Sequence, residues 1–293
     1  MTTARANPLT LLKLPLLLAK FVRIEHSVFA LPFAYAGAFM VRNRIPAFEI
    51  MLWITVPMVA ARSLAMALNR MIDMETDARN PRTATRELPA GRLTRDQAIA
   101  FCAISLAALA MALSNLPPLT WYLLPIVIAA FVVYPFTKRF TALCHLFLGA
   151  TIGLAPVGAW VAVSGSISWQ PFLLMAAVPF WIAGFDIIYA CLDIDFDRRE
   201  GIHSLPARQG PARALWVTKG FHLLAAGFLV ATGMVNHLGA IYFAGVAVVA
   251  LLLVWQNITA SGRGLPPKGA AFMTMNGVIS IVYIAFLTAD LLL

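Results

Sequence analysis

Residues 119–136 read LTWYLLPIVIAAFVVYPF, a stretch without a single charge, and the run ends against Lys138 and Arg139. A helix needs about 20 such residues to cross a hydrocarbon core about 30 Å thick. The rest of the chain repeats the pattern. Of its 293 residues 61% are hydrophobic and 12% charged, about half the charged share of a soluble domain. That balance excludes a water-soluble enzyme of one or two domains. Disorder, collagen and disulfide scaffolds fall as well, because the apolar content is too high, the glycines have no period and there are only three cysteines.

Working outward, apolar runs between breakers predict nine spans, at 24–41, 46–68, 98–115, 119–136, 142–163, 171–192, 214–235, 238–258 and 271–291. The breakers are Asn-Leu-Pro-Pro at 115–118, Ser-Gly-Ser at 164–166 and Gly-Leu-Pro-Pro at 264–267. A net charge of +9 suggests nucleic acid, but no long soluble stretch exists to hold such a module, and the basic residues flank the apolar runs. With the N-terminus inside, nineteen of the 22 Lys and Arg fall on the cytoplasmic side, counting Lys219 at the start of the seventh span. This bias predicts an N-terminus in and a C-terminus out. Residues 1–293 read as one integral-membrane domain. Lys13, Lys20 and Arg23 interrupt the apolar residues at the start, and no small-residue cleavage site follows. Segment 1–23 is therefore expected to be amphipathic, lying on the cytoplasmic surface.

The acids are more informative. Ten of the thirteen Asp and Glu lie in 73–96 and 186–200, each after an even-numbered span. In the first stretch Asn69, Asp73 and Asp77 recur every four residues and so share one helical face, with Glu75 turned away. In the second, Asp186, Asp193 and Asp197 share a face and Asp195 does not. Like charges at this spacing repel, and near hydrocarbon the cost grows. The two stripes call for a cation, and hard oxygen ligands beside a phosphate suit Mg²⁺. For Glu75, Glu87, Asp96, Asp195 and Glu200, pairing with nearby arginines is the better reading.

Similar loops follow the stripes, Arg-Glu-Leu-Pro-Ala at 86–90 and His-Ser-Leu-Pro-Ala at 203–207. Arg79, Arg82, Arg86 and Arg92 accompany one, and Arg198, Arg199 and Arg208 the other. Arginine beside metal-binding carboxylates is what a diphosphate requires. Arg82 and Arg86, four apart in a polar loop, are expected to clamp it from the cytoplasmic side. Arg62, inside a span, requires a partner or a route to the interface. Arg23, Glu25 and His26 at the first span read as an interfacial anchor or an acceptor contact. The cysteines read as packing residues, and the histidines show no ligand spacing.

Taken together, the Asn69–Asp73–Asp77 motif, the Asp193/Asp197 pair, the Arg82-Thr-Ala-Thr-Arg86-Glu-Leu-Pro-Ala-Gly91 loop and Tyr134-Pro-Phe-Thr-Lys138-Arg139 resemble the UbiA-type intramembrane aromatic prenyltransferases. Glu87 stands where that family usually has Pro. The resemblance implies an all-α bundle of nine helices around a central cavity, with a metal site capped by cytoplasmic loops. It implies Mg²⁺ on Asn69, Asp73, Asp77, Asp193 and Asp197, a catalytic role for these aspartates and Asp186, and substrate contacts from Asn69, Arg82, Arg86, Lys138, Arg139, Tyr189 and Arg208. The implied reaction moves a polyprenyl chain from polyprenyl diphosphate to a small aromatic acid of the 4-hydroxybenzoate type, in a lipid bilayer and most simply the bacterial inner membrane. The alternative acceptor is a dihydroxynaphthoate of menaquinone synthesis. The rival from another class is a transporter, which would place its acids near the bilayer midplane instead.

Overall fold

The computed structural model describes residues 8–262 and 269–293, and all regular structure among them is helical. The helices are α1 (Pro8–Phe21), α2 (Ser27–Phe39), α3 (Phe48–Ile72), α4 (Met74–Arg79), α5 (Arg95–Leu113), α6 (Leu119–Thr137), α7 (Cys144–Ser164), α8 (Gln170–Ala190), α9 (Ile194–Glu200), α10 (Leu205–Gln209), α11 (Pro211–Val235), α12 (Ala240–Gly262) and α13 (Gly269–Leu292). Among the described residues eight helices are long and apolar enough to cross a membrane, with α8 and α9 counted as one. They correspond to the second through ninth predicted spans. The breaker at 264–267 lies outside the described residues, as do residues 1–7 of the predicted surface segment.

The first predicted span differs. Helix α2 has 13 residues, about 20 Å at 1.5 Å per residue, which is short of the hydrocarbon thickness. The cause is local. Arg23 takes a left-handed conformation, φ 47°, before a 3₁₀ turn at Ile24–His26, and Asn43 does the same, φ 46°, beyond the other end. The kink at Arg23 separates α2 from α1, and the one at Asn43 separates it from α3. Helix α1 then folds back: Leu14, Leu17 and Leu18 pack with Phe21, Val22, Ala67, Leu88 and Leu93. The segment expected to be amphipathic thus turns an apolar side to the protein.

Helix α2 is short but central. It packs on α3, α7 and α13, and the neighbours α3–α6–α7–α8–α11–α12–α13 complete a ring that closes on it. Phe33 of α2 meets Trp181 of α8 and Tyr283 of α13, with ring centroids 5.0 and 5.1 Å away. Two glycines permit the closest helix approaches. A Cβ on Gly37 would lie 2.2 Å from the Pro156 carbonyl oxygen, and one on Gly149 would lie 2.6 Å from the Pro179 backbone. Small residues at such crossings let backbones approach where hydrophobic driving force is weak.

Candidate active site

Helix α3 runs one turn past the predicted end at residue 68, which carries Asn69 into it. At Asp73 the helix bends, φ −94° and ψ 3°, and α4 begins. The stripe survives the bend, because the Asp73 amide donates to the Asn69 carbonyl (3.0 Å) and the Asp77 amide to the Asp73 carbonyl (2.7 Å). The second stripe is interrupted in the same way: a 3₁₀ turn at Cys191–Asp193 joins α8 to α9. Asp73, Asp77 and Asp197 are buried, whereas Glu75 and Asp195 are exposed. Both outward acids lie as the spacing predicts.

Each inward carboxylate meets a cation or a hydroxyl. The Lys138 ammonium lies 2.5 Å from Asp73 Oδ2, which also accepts from the Asn69 amide at 3.2 Å. Arg86 donates to Asp77 Oδ2 at 2.6 Å. Arg82 grips Asp193 with both edges of its fork, Nε to Oδ1 at 2.9 Å and Nη2 to Oδ2, while stacking on the Tyr189 ring at 5.3 Å. Asn80 adds a second donor to Asp193 Oδ1 at 3.2 Å. The Ser204 hydroxyl donates to Asp197 Oδ2. Arg82 and Arg86 therefore both reach down from the first loop, each to a different stripe.

Burial pushes the Asp73 carboxyl above the usual carboxylate range, against the pull of Lys138. Burial alone would lower the Arg82 guanidinium, but the bond and charge of Asp193 hold it above its ordinary value. Asp73 Oδ1 is buried without a hydrogen-bond partner. A buried, orphaned carboxylate oxygen is a strong vacant acceptor, and it suits a hard cation. Among the described residues no three of His, Cys, Asp and Glu converge into a ready metal cage. Mg²⁺ does not need one, since one or two carboxylates with water and phosphate suffice.

An apolar cavity of about 230 Å³ lies between α3, α5, α6 and α7, touched by Ala30 of α2. Among its described lining residues Arg62 alone is charged, and Tyr134 sits close to it. Arg62 and Tyr134 give the cavity its polar end. Arg62 finds the partner its position demands by donating to the Val22 carbonyl at 3.0 Å.

Other predicted residues take different places. Arg139 caps the end of α3 through the Ile72 carbonyl at 3.1 Å and stacks on Phe136. Arg208 is exposed in α10 and makes no ion pair with either stripe among the described residues. Glu87 pairs with buried Arg70 at 3.0 Å, and Glu200 with Arg79 at 2.8 Å. Asp96 lies in the first turn of α5, behind a Thr94–Gln97 capping box. Sequence reasoning passed over Asn80, Ser204 and His145. His145 Nδ1 lies 2.7 Å from Asp186 Oδ2. No spacing rule joins residues on two different helices, and only the fold reveals that pair.

The chain belongs to the UbiA prenyltransferase family, which it matches over residues 30–281. Among its relatives, the 4-hydroxybenzoate octaprenyltransferase of Marinobacter nauticus is 30% identical over 263 residues, covering 88% of this chain and 89% of that one. The enzyme of the same description from Cronobacter sakazakii is 32% identical, covering 80% and 81%. A UbiA homolog from Aeropyrum pernix K1, solved in its apo form, superposes with a TM-score of 0.83 at 34% identity, covering 91% of this chain and 98% of that one. A UbiA homolog from Archaeoglobus fulgidus bound to GPP and Mg²⁺ shares the fold, with a TM-score of 0.68 at 17% identity over 94% of this chain and 100% of that one. Family membership sets the transporter reading aside.

Proposed function

We propose that this prenyltransferase moves a polyprenyl chain from its diphosphate to a small aromatic acid of the 4-hydroxybenzoate type. The observation that carries the reading is the set of ion pairs at the two stripes, with Lys138 on Asp73, Arg86 on Asp77, and Arg82 reaching from the first loop to Asp193. The relatives' names and the Mg²⁺ of the Archaeoglobus homolog support it.

In this reading the prenyl chain lies along the cavity among side chains such as Phe131, Leu109 and Ile152. Asn69, Asp73, Asp77, Asp193 and Asp197 would hold Mg²⁺, which would supply positive charge to neutralise the departing diphosphate. Lys138, Arg82 and Arg86 turn from the carboxylates to the diphosphate oxygens as the substrate enters, and the planar forks of the arginines suit those oxygens. The allylic C–O bond then breaks with its electrons on the diphosphate, and apolar walls keep water from the carbon left behind. Arg62, the charged group lining the cavity, pairs with the acceptor carboxylate. The ring carbon beside the phenol oxygen forms the new C–C bond, and its proton passes to Asp186.

For topology, we place nine crossings in the inner membrane of a bacterium, with α2 as a shortened first crossing, the N-terminus inside and the stripes at the cytoplasmic face. The distribution of Lys and Arg supports this orientation.

The test supplies membranes holding the protein with a long polyprenyl diphosphate, Mg²⁺ and either 4-hydroxybenzoate or a dihydroxynaphthoate. Prenylated 4-hydroxybenzoate is the expected product. Exclusive prenylation of the naphthoate would move the acceptor assignment, and no prenylated arene from either would refute the reading.

A further inference from the structure

We infer that His145 is a positioning residue: as a neutral imidazole it fixes the Asp186 carboxylate and ties its orientation to the loop after the second stripe. The inference rests on the proposed role of Asp186 as the group facing the acceptor. His145 lies in the first turn of α7 and is buried. Its Nε2 is 3.2 Å from the Leu205 amide nitrogen, and its Nδ1 is 2.7 Å from Asp186 Oδ2. A backbone N–H can only donate, so Nε2 is an acceptor without a proton, and the neutral ring carries its hydrogen on Nδ1. That hydrogen goes to Asp186. With both nitrogens engaged, His145 has no lone pair for a substrate proton or a metal.

The pairing leaves Asp186 half-available. Its side chain is 32% exposed against 5% for His145, although Phe185, Ile187 and Ile188 beside it on α8 are buried. Oδ2 is held by the ring, and the side chain keeps about a third of its surface exposed. The loop carrying Leu205 is itself tied to the diphosphate side. Its three successive residues bond in turn: the His203 amide to the Lys138 carbonyl at 2.7 Å, the Ser204 hydroxyl to Asp197, and the Leu205 amide to His145. Lys138 and Asp197 belong to the donor half of the site and Asp186 to the acceptor half. His145 is the link between them, and a loop displaced from Asp197 also releases the ring that aims Asp186.

Two substitutions separate this role from others. His145→Gln keeps both functions, because an amide oxygen accepts from Leu205 and an amide nitrogen donates to Asp186. His145→Ala removes both. In full-length protein in membranes, His145→Ala is expected to raise the acceptor KM and lower kcat, with their ratio falling about tenfold or more, as for a lost hydrogen bond to a charged group. The KM for prenyl diphosphate should stay within about twofold, and His145→Gln should recover most of the loss. Full activity in His145→Ala would overturn the inference. So would His145→Gln as impaired as His145→Ala, since that result makes the imidazole itself the proton carrier, or a defect confined to diphosphate KM. If His145→Ala does not accumulate, His145→Gln and nitrogen-15 NMR of histidine-labelled wild type decide. The spectrum should show hydrogen on Nδ1 and a bare Nε2 at neutral pH, and the reverse tautomer or a doubly protonated ring would refute the tie. This last measurement needs no turnover, so absence of prenyl transfer in the wild type, which refutes the proposed function, is told apart from failure of the His145 assignment.

Discussion

Arg82 grips the carboxylate of Asp193 with two edges of its guanidinium, although 111 residues separate them. The loop that follows the first acidic stripe is thus fastened to the second, and the site is closed by its own charges. Substrate entry has to exchange these partners, and that requirement makes the arrangement testable.

Asp73→Asn and Asp193→Asn should each lower Mg²⁺-dependent kcat by about a hundredfold or more while the protein stays folded. Chelation should abolish turnover, and added Mg²⁺ should restore it. Burial raises the Asp73 carboxyl above the usual range, and only the ionised form binds a cation. The Mg²⁺ concentration for half-maximal rate should therefore climb as pH falls from neutral into the mildly acidic range. Prenyl-transfer assays at fixed substrate check all three outcomes.

Arg82→Lys and Arg86→Lys retain charge but lose the planar donor fork. Both should raise the KM for prenyl diphosphate or lower kcat, with little change in acceptor KM. Steady-state kinetics on both substrates read the split, and wild-type constants in both variants would leave the loop as a topology signal.

Arg62 presents the charge lining the cavity. Arg62→Gln should raise the aromatic acid KM about tenfold or more, consistent with a lost charge-assisted bond, and leave the diphosphate KM near wild type. An aromatic substrate analogue without a carboxylate should not tell the two proteins apart.

Glu87 forms an ion pair with Arg70, the two side chains being 12% and 5% exposed. Glu87→Ala leaves a buried guanidinium uncompensated and should destabilise the protein by about 3 kcal/mol. Replacing both, as Arg70→Met with Glu87→Leu, should recover most of that loss. Thermal unfolding in detergent compares the three proteins.

Gly37→Ala drives a methyl group into the Pro156 carbonyl at the α2–α7 crossing. The helices must part, at a cost of about 1–3 kcal/mol. Lower thermal stability than wild type, with unchanged substrate KM in the protein that survives, is the expected result.

The apolar runs and the acidic periodicity were legible because each is written within one stretch of chain. Runs such as 119–136 must be helices, since an unpaired backbone in hydrocarbon is too costly, and a step of four places Asn69, Asp73 and Asp77 together wherever the helix goes. What stayed hidden depended on geometry between distant segments. The shortness of α2 comes from left-handed Arg23 and Asn43; asparagine is enriched in that conformation, whereas arginine gives no marked signal for it. In the sequence Lys138 is the end of a span, and only the resemblance of the 134–139 segment points it to the diphosphate; its contact with Asp73 spans 65 residues. Arg139, its neighbour, has the same charge and a different task because one residue turns it onto the end of α3.

The bonds that hold the second stripe also join residues made at different times. Arg79 and Arg82 are made 121 and 111 residues before Glu200 and Asp193, and His145 is made 41 residues before Asp186. As the chain emerges, the partners for the later acids are already in place, and α8 and α9 arrive as cargo for a waiting receptor. In the reverse order the partly buried Asp186 and Asp193 would be made before the groups that meet them. A gene severed in the 164–168 turn therefore encodes two unequal fragments, a first that carries its own counter-charges for Asp73 and Asp77, and a second whose Asp186 and Asp193 are satisfied only when the first is already in the membrane.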